Sequence, residues 1–295
     1  MLRAIGTAAA VVAATTAGVA ILVAVVPPGI EHCTAPPGEL TLLVSDTHVQ
    51  QLLPLSETNM ARVVKHARRR FPRIQRAVVL GDLIHNAGGT SGGNVSTTLF
   101  RKLAKRVRAL TDGLPTDYVP GNHDLVAEPT ARWLDEFGTP DTVKTLSGQP
   151  ALLATAASTE PADDCEVVLV HQPTNVRCNS TRLVVRGHWH FSADWTTDGV
   201  RTVVVPTLNP YQAAINHQPA VSGGSWPSGQ QGFGLLGYNH TIEVCVVSWT
   251  SPNGGALIAA VVVAAVAVGV GVWWWIPAWS SSSSRYAAVP QDSYY

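Results

Sequence analysis

Five short, largely apolar runs in this chain each end in Asp, Asn or His, and that repetition constrains the fold more than any other feature. Residues 40–44 lead into Ser45-Asp46-Thr47-His48, residues 77–80 into Gly81-Asp82, and residues 117–120 into Gly121-Asn122-His123-Asp124. Residues 167–170 lead into His171, and residues 183–186 into Gly187-His188-Trp189-His190. Runs this short and apolar read as strands buried on both faces, so the polar residues sit at strand ends. Between the runs, residues 57–70, 99–110 and 130–137 read as helices, the first with Met60, Val63, Val64 and Ala67 on one side. Further strands are expected at 150–154, 201–205 and 242–249. This order indicates an α/β fold, a sandwich of two sheets flanked by helices.

The residue types at the strand ends suit metal-assisted hydrolysis. Phosphoester cleavage needs a nucleophile at neutral pH and a sink for charge on the phosphoryl oxygens, and two divalent ions about 3.5–4 Å apart supply both. Neutral imidazole, carboxylate and amide oxygen suit Mn, Fe or Zn better than the all-oxygen shells of Ca or Mg. A single strand-end Asp or His is more often a cap or a satisfied polar group. Independent caps have no reason to arrive in this order.

The blocks DxH, GD, GNHD, H and GHxH, in that order over about residues 40–210, resemble the calcineurin-like metallophosphoesterase family. The resemblance implies a four-layer αββα sandwich and two divalent metal ions, with Mn expected and Fe, Zn or Mg as alternatives. It implies that Asp46, His48 and His190 hold one ion, that Asn122, His171 and His188 hold the other, and that Asp82 bridges both. Gly81 would let the backbone turn tightly before Asp82. His123 is implied as general acid or as a stabiliser of the charged transition state, with Asp124 orienting its ring. The tyrosine ligand that follows Gly-Asp in purple acid phosphatases has no counterpart here. His85 either lines the pocket or occupies a loop, and Trp189 is expected to pack behind the metals, with stacking on a substrate as the alternative.

The 20 basic and 20 acidic residues balance, which argues against nucleic acid as a partner. The charged fraction is only 14%, and long apolar segments lie near both ends. Residues 4–26 carry no charge and are long enough for a bilayer core of about 30 Å. They exceed the apolar region of about 7–15 residues in a cleavable signal, so an uncleaved signal anchor is expected, with cleavage as the alternative. Residues 256–279 are also uncharged and carry Trp273, Trp274 and Trp275, an aromatic belt suited to a membrane interface. Arg3 and Arg285 outside the two segments place both ends in the cytosol.

The expected organisation is therefore a cytosolic residue 1–3 segment, a transmembrane anchor at 4–26, a linker at 27–38, a lumenal or extracellular metallophosphoesterase domain at 39–250, a transmembrane helix at 256–279 and a cytosolic tail at 280–295. Sequons at Asn94, Asn179 and Asn239 fit a glycosylated compartment, either endoplasmic reticulum and Golgi or endosome and lysosome. Four cysteines lie in the same segment. The expected pairs are Cys165 with Cys178, bracing the loop of His171, and Cys33 with Cys245, just inside the two spans, with buried free thiols as the alternative. In the tail, Tyr286 and Val289 match a tyrosine-based sorting signal or belong to a disordered end.

The basic residues Arg101, Lys102, Lys105, Arg106 and Arg108 read as a solvated helix face or as a surface for anionic lipid heads. No large cap domain fits between Asp124, His171 and His188, so an open site is expected, with residues 206–237 as a loop beside it that recognises a polar headgroup or as an ordinary surface connection. A domain between two spans resembles the membrane phosphoesterases that remove ethanolamine phosphate from glycosylphosphatidylinositol (GPI) anchors. The expected function is hydrolysis of a phosphodiester in a lipid or glycolipid headgroup presented by the membrane. The alternatives are a general lumenal phosphomonoesterase or nucleotide phosphodiesterase, and a non-catalytic membrane protein that kept the fold for binding.

Overall fold

The computed structural model describes residues 29–31, 33–50, 54–85, 96–124, 131–155, 164–172, 178–215 and 230–248. Two six-stranded sheets organise them. The first runs β1 (Gly29–Glu31), β12 (Ile242–Ser248), β11 (Gly232–Leu236), β2 (Leu40–Ser45), β3 (Ile74–Leu80) and β4 (Thr116–Val119). The second runs β5 (Thr142–Leu146), β6 (Gln149–Leu153), β7 (Val167–Val170), β8 (Leu183–Arg186), β10 (Val200–Val204) and β9 (Ala193–Thr197). Strands β2, β3 and β4 are parallel, as are β6, β7, β8 and β10.

A parallel step requires a crossover, and α1 (Pro54–Arg70) and α2 (Thr97–Leu110) supply the two around β3. Helix α2 starts where the Ser96 hydroxyl accepts the Leu99 N–H at 3.3 Å, and it buries Phe100, Leu103, Ala104, Val107 and Leu110 along one stripe. Part of its basic face is committed to neighbouring acids, while Arg101, Lys102 and Lys105 are exposed. Arg106 pairs with Glu57 of α1, and Arg108 reaches Glu136 of α3 (Ala131–Phe137) at 2.7 Å. The cationic end of α1 is likewise used on carbonyls: Arg68 donates to Asp112 O at 2.7 Å and Arg70 to Ile30 O at 2.7 Å.

Alternate residues of both sheets meet in one core. Leu43, Val78, Leu80 and Val119 of the first sheet face Leu153, Leu169, Val185 and Val203 of the second, all buried. On the outer face of the second sheet, Leu152, Val168 and Val170 pack with Cys165 and Cys178. These cysteines form a disulfide with Cα atoms 5.4 Å apart. The mixed α/β sandwich expected from the sequence is present. Among the described residues no helix lies between β5 and β8, so a second helical layer is not seen there, and the connections at 156–163 and 173–177 lie outside the described residues.

The expected linker at 27–38 is not a bare connection. Strand β1 within it pairs antiparallel with β12, and Cys33 is bonded to Cys245 with Cα atoms 5.0 Å apart. Both expected disulfide pairings are therefore formed, and no described cysteine is free. The expected spans at 4–26 and 256–279, and the tail at 280–295, lie outside the described residues. Among the described residues, no helix is long and apolar enough to cross a membrane. Of the sequons, Asn179 and Asn239 are exposed, and Asn94 lies outside the described residues.

Candidate metal centre

The parallel strands of both sheets deliver their polar ends to one place, the carboxyl ends of β2, β3, β4, β7 and β8. The backbone there is strained. Asp46 and His48 have φ of 53° and 42°, Asp82 has 50°, and His188 and His190 have 70° and 59°. Left-handed backbone outside glycine costs about 1–2 kcal/mol per residue and persists only where the surroundings fix it.

Neighbouring segments provide that fixing. The N–H groups of Asp46, His48 and Val49 donate to Gly81 O, Asp82 O and Leu83 O at 3.1, 2.8 and 2.9 Å, which zips the loop after β2 to the loop after β3. From below, Thr207 Oγ1 donates to Asp46 O at 2.9 Å and Asn209 Nδ2 to Thr47 O at 2.9 Å. Thr207 and Asn209 are fully buried. The sequence reads both as part of a loop or surface connection over 206–237, whereas the structure forms a short helix (Pro210–Ile215) and β11 within that stretch. Nothing in their residue types marks them as the support of Asp46.

Three glycines let the loops close. Gly81 has φ of 74°, and a Cβ on it would overlap the His171 ring. A Cβ on Gly121 would overlap Asp82, and one on Gly187 would overlap Ser45 and Asp46. Each glycine therefore precedes a candidate ligand because the neighbouring block occupies the space of a side chain.

The seven candidate ligands converge. Asp46, His48 and His190 bring one ligand-type atom each within 4.8 Å of one another, and Asp82, His171 and His188 form a second such group. Asp82 lies between the groups: its Oδ2 is 3.1 Å from His171 Nε2 and 3.5 Å from His48 Nε2. Asn122 joins the second group, with Oδ1 3.2 Å from His171 Nε2. Asp46 Oδ1 is 3.0 Å from His190 Nε2, while Asp46 Oδ2 accepts the His188 N–H at 3.0 Å. Asp46, His48, Asp82, His171 and His190 are buried, whereas Asn122, His123 and His188 are half-buried.

This donor set fits divalent ions. His48 Nε2 is buried with no hydrogen-bond partner among the described residues, yet it faces both carboxylates. A cation beside it would satisfy the nitrogen and both acids at once. His171 donates its Nδ1 proton to Leu80 O at 2.8 Å, which leaves Nε2 turned toward Asp82, the arrangement that orients metal-binding histidines.

The electrostatics say the same. Burial alone would raise the Asp46 carboxyl, but His190 and His171 outweigh it and hold Asp46 at about 2. Asp82 is held well below the usual carboxylate range, again against burial, by His171, His48 and His123. Burial opposes charge on His171 too, but Asp82 and Asp46 push it up to about 10. Burial pushes His48 down to about 3. Two ionised carboxylates thus gather positive charge onto a buried imidazole, in the place where a metal cation would act more strongly.

His123 lies beside both groups. Its N–H donates to Asp82 Oδ1 at 2.8 Å, and its ring stands edge-on to His48, with centroids 4.8 Å apart. The expectation that Asp124 orients this ring is corrected. The Asp124 carboxylate accepts the N–H groups of Gly121 at 2.9 Å, Leu83 at 3.0 Å and Ile84 at 3.1 Å, while His123 Nδ1 is buried without a hydrogen-bond partner among the described residues. Asp124 is a clasp between the loops after β3 and β4. Burial and the neighbouring Asp82 charge raise it to about 7 in spite of the backbone donors.

His85 is placed at the centre, next to His48 and His123. Trp189 instead stacks on Trp195 and Phe191, both with centroids 5.7 Å away, and Arg186 lies 4.0 Å over its ring. It serves as packing for the loop after β8.

The family model for calcineurin-like phosphoesterases matches residues 40–246. Among solved structures, an archaeal phosphodiesterase is 15% identical, with 70% of this chain and 99% of that one covered and a TM-score of 0.39. Vacuolar Protein Sorting 29 from Cryptosporidium parvum is 14% identical, covering 72% and 97%, with a TM-score of 0.36. Wild-type Vps29 from Entamoeba histolytica, complexed with zinc, is 12% identical, covering 72% and 99%, with a TM-score of 0.33. No curated protein matches the chain. The family match runs from β2 through most of β12 and takes in every candidate ligand, so the chain belongs to the calcineurin-like phosphoesterase family and is a metal-dependent phosphoric ester hydrolase.

Proposed function

We propose that this protein is a membrane-tethered phosphodiesterase that uses two divalent ions to hydrolyse the headgroup of a lipid or glycolipid, such as the ethanolamine phosphate of a GPI anchor. The observation that carries the two-ion part is the position of Asp82 Oδ2, within 3.5 Å of imidazoles from both candidate groups. Asp46, His48 and His190 would hold one ion, Asn122, His171 and His188 the other, and Asp82 both; Mn suits this mixed nitrogen and oxygen set. When bound, the two ions acidify an attacking water and neutralise charge on the phosphoryl oxygens.

The remaining work falls to the chain. Asp46 and Asp82 stay ionised through the physiological range and supply the negative charge that retains divalent ions. His123, anchored through its N–H to Asp82, presents an imidazole to the leaving oxygen and gives it a proton. Asp124 holds the two loops in register, so that His123 and Asp82 keep a fixed separation.

The membrane part is supported by the uncharged segments at 4–26 and 256–279, by two disulfides, and by exposed sequon asparagines at 179 and 239. These features favour a lumenal or extracellular site in the secretory or endosomal system. Full-length protein reconstituted in liposomes with Mn should cleave a bilayer-presented ethanolamine-phosphate glycolipid faster than a soluble phosphodiester, and a soluble phosphomonoester slowest. Asp82→Ala should abolish all three activities. A preference for the monoester, or equal rates with and without the bilayer, would overturn the substrate assignment. Turnover that survives Asp82→Ala would overturn the ligand assignment.

A further inference from the structure

His85 stands where the chain brings three imidazoles together. Its Nδ1 is 3.2 Å from the Nδ1 of His48, and its ring lies nearly parallel to that of His123, at 17° with centroids 5.2 Å apart. We propose that His85 is a positioning residue: it accepts the Nδ1 proton of His48 so that Nε2 of His48 is left as a metal ligand, and its face holds the His123 ring in place. The proposal rests on the assignment of His48 to the first ion.

The tautomer argument follows from counting protons. Two ring nitrogens 3.2 Å apart need one proton between them. If His85 carried it, neutral His48 would accept at Nδ1 and bear its own proton on Nε2, the atom that faces Asp46 and Asp82. Nε2 would then have no lone pair for an ion. If His48 carries it and His85 accepts, His48 Nε2 is free to ligate, as it is when a metal-bound histidine donates its other N–H to a nearby acceptor. His171 makes the same arrangement with a backbone carbonyl, Leu80 O. Around His48 the acceptor is supplied by a side chain.

The stack answers a second need. With Asp124 committed to three backbone N–H groups and His123 Nδ1 unpaired, no described hydrogen bond fixes the His123 ring. His85 stacks on it and His48 meets it in a T-shaped contact. His85 thus couples the ligand that faces the carboxylates to the imidazole that faces the leaving oxygen.

The two roles separate by substitution. His85→Asn keeps an acceptor near the position of Nδ1 and loses the ring, whereas His85→Phe keeps the ring and loses the acceptor. In full-length protein, chelator competition with Mn and Co, the absorption spectrum of bound Co, and long-range nitrogen–proton spectra of His48 in the metal-free protein are the readouts. His85→Phe should weaken one of two ions about 10- to 100-fold and move the His48 proton from Nδ1 toward Nε2. His85→Asn should retain metal affinity within about threefold and the His48 tautomer, while lowering kcat more than it changes KM.

Wild-type affinity and an unchanged His48 tautomer in His85→Phe would overturn the proposal. So would three ions per wild-type chain, which would make the 3.2 Å spacing the bite of a third ion on His48, His85 and His123. If wild type binds fewer than two ions, or His48→Ala binds as wild type does, the ligand assignment itself falls. Those outcomes differ from a failure confined to His85.

Discussion

His171 Nδ1, just after β7, donates to the carbonyl oxygen of Leu80, the last residue of β3, at 2.8 Å, so the first sheet both orients the candidate ligand carried by the second and surrounds it with acid. Against burial, Asp82 and Asp46, with the Leu80 carbonyl, hold the imidazole protonated up to about 10 in the metal-free protein. Its folded value lies above its unfolded value near 6.5. The folded chain therefore binds the extra proton, and the stability this gives is complete below about pH 6.5 and lost as pH rises toward 10. His48, held down at about 3, works in the opposite sense but is exhausted above pH 6.5. Asp124, raised to about 7, adds its own loss only between about pH 4 and 7. Chemical denaturation of the chelated protein should thus show stability falling between pH 7 and 10, and His171→Asn should flatten that slope.

Loading the centre should reverse this protonation. An ion can take His171 Nε2 only after the proton leaves, so binding at pH 8 should release about one proton per chain from this residue. Calorimetric titrations with Mn in buffers of different ionisation enthalpy measure it directly. Zero release at pH 8 would mean that His171 is already neutral or takes no ion.

Gly81 and Gly138 provide a matched test of crowding. Both have positive φ, 74° and 86°, but a Cβ on Gly138 meets nothing within 4 Å, whereas one on Gly81 would overlap the His171 ring. Gly138→Ala should cost about 1–2 kcal/mol, the left-handed penalty alone, with full activity. Gly81→Ala should add overpacking, about 1–3 kcal/mol more, and lose the ion held by His171. Equal losses in thermal unfolding and equal metal content would refute the close approach.

What the sequence disclosed and what it hid divide along physical lines. The five blocks are legible because metal chemistry accepts few residue types, and because buried parallel strands leave continuous apolar runs such as 77–80. Helix α1 was legible too, except that it starts at Pro54, where proline costs nothing in a first turn. Strands β5 and β9 were not, since they are sheet edges whose residues Lys144, Thr145 and Thr196 face solvent and leave no apolar pattern. Strand β11 was hidden by Gly232 and Gly234, which read as breakers but are small because Pro206, Cys245 and Leu43 press against them. Hydrogen-bond destinations have no signature in residue type, which is why the roles of Thr207, Asn209 and Asp124 emerged only from the fold.

The Cys165–Cys178 bridge closes a short loop that contains β7 and His171 and leads into β8, the strand before His188. With a sequence separation of 13, its removal should cost about 3 kcal/mol by the loop-entropy relation. The double variant Cys165→Ala with Cys178→Ala should unfold at lower denaturant and bind the second ion more weakly. Peptide mapping without reductant should find both bridges in wild type and only Cys33–Cys245 in the variant. Unchanged stability would indicate that the outer-face packing of Val168 and Val170 suffices to hold β7.

Asp124 separates a structural clasp from a catalytic partner. Three backbone N–H groups, from Leu83, Ile84 and Gly121, converge on its two oxygens, and the loop they fix carries Asp82 and His85. Asp124→Asn keeps the shape but turns one acceptor into a donor, so at least one buried N–H loses its partner, at a cost of about 1–3 kcal/mol. The loosened loop should weaken binding of both ions together, since Asp82 contacts both groups. Were Asp124 instead to orient His123, the same substitution would leave stability and metal affinity intact and lower kcat alone. Denaturation, metal content and kcat measured on the one variant decide between them, and the three N–H contacts predict that stability falls first.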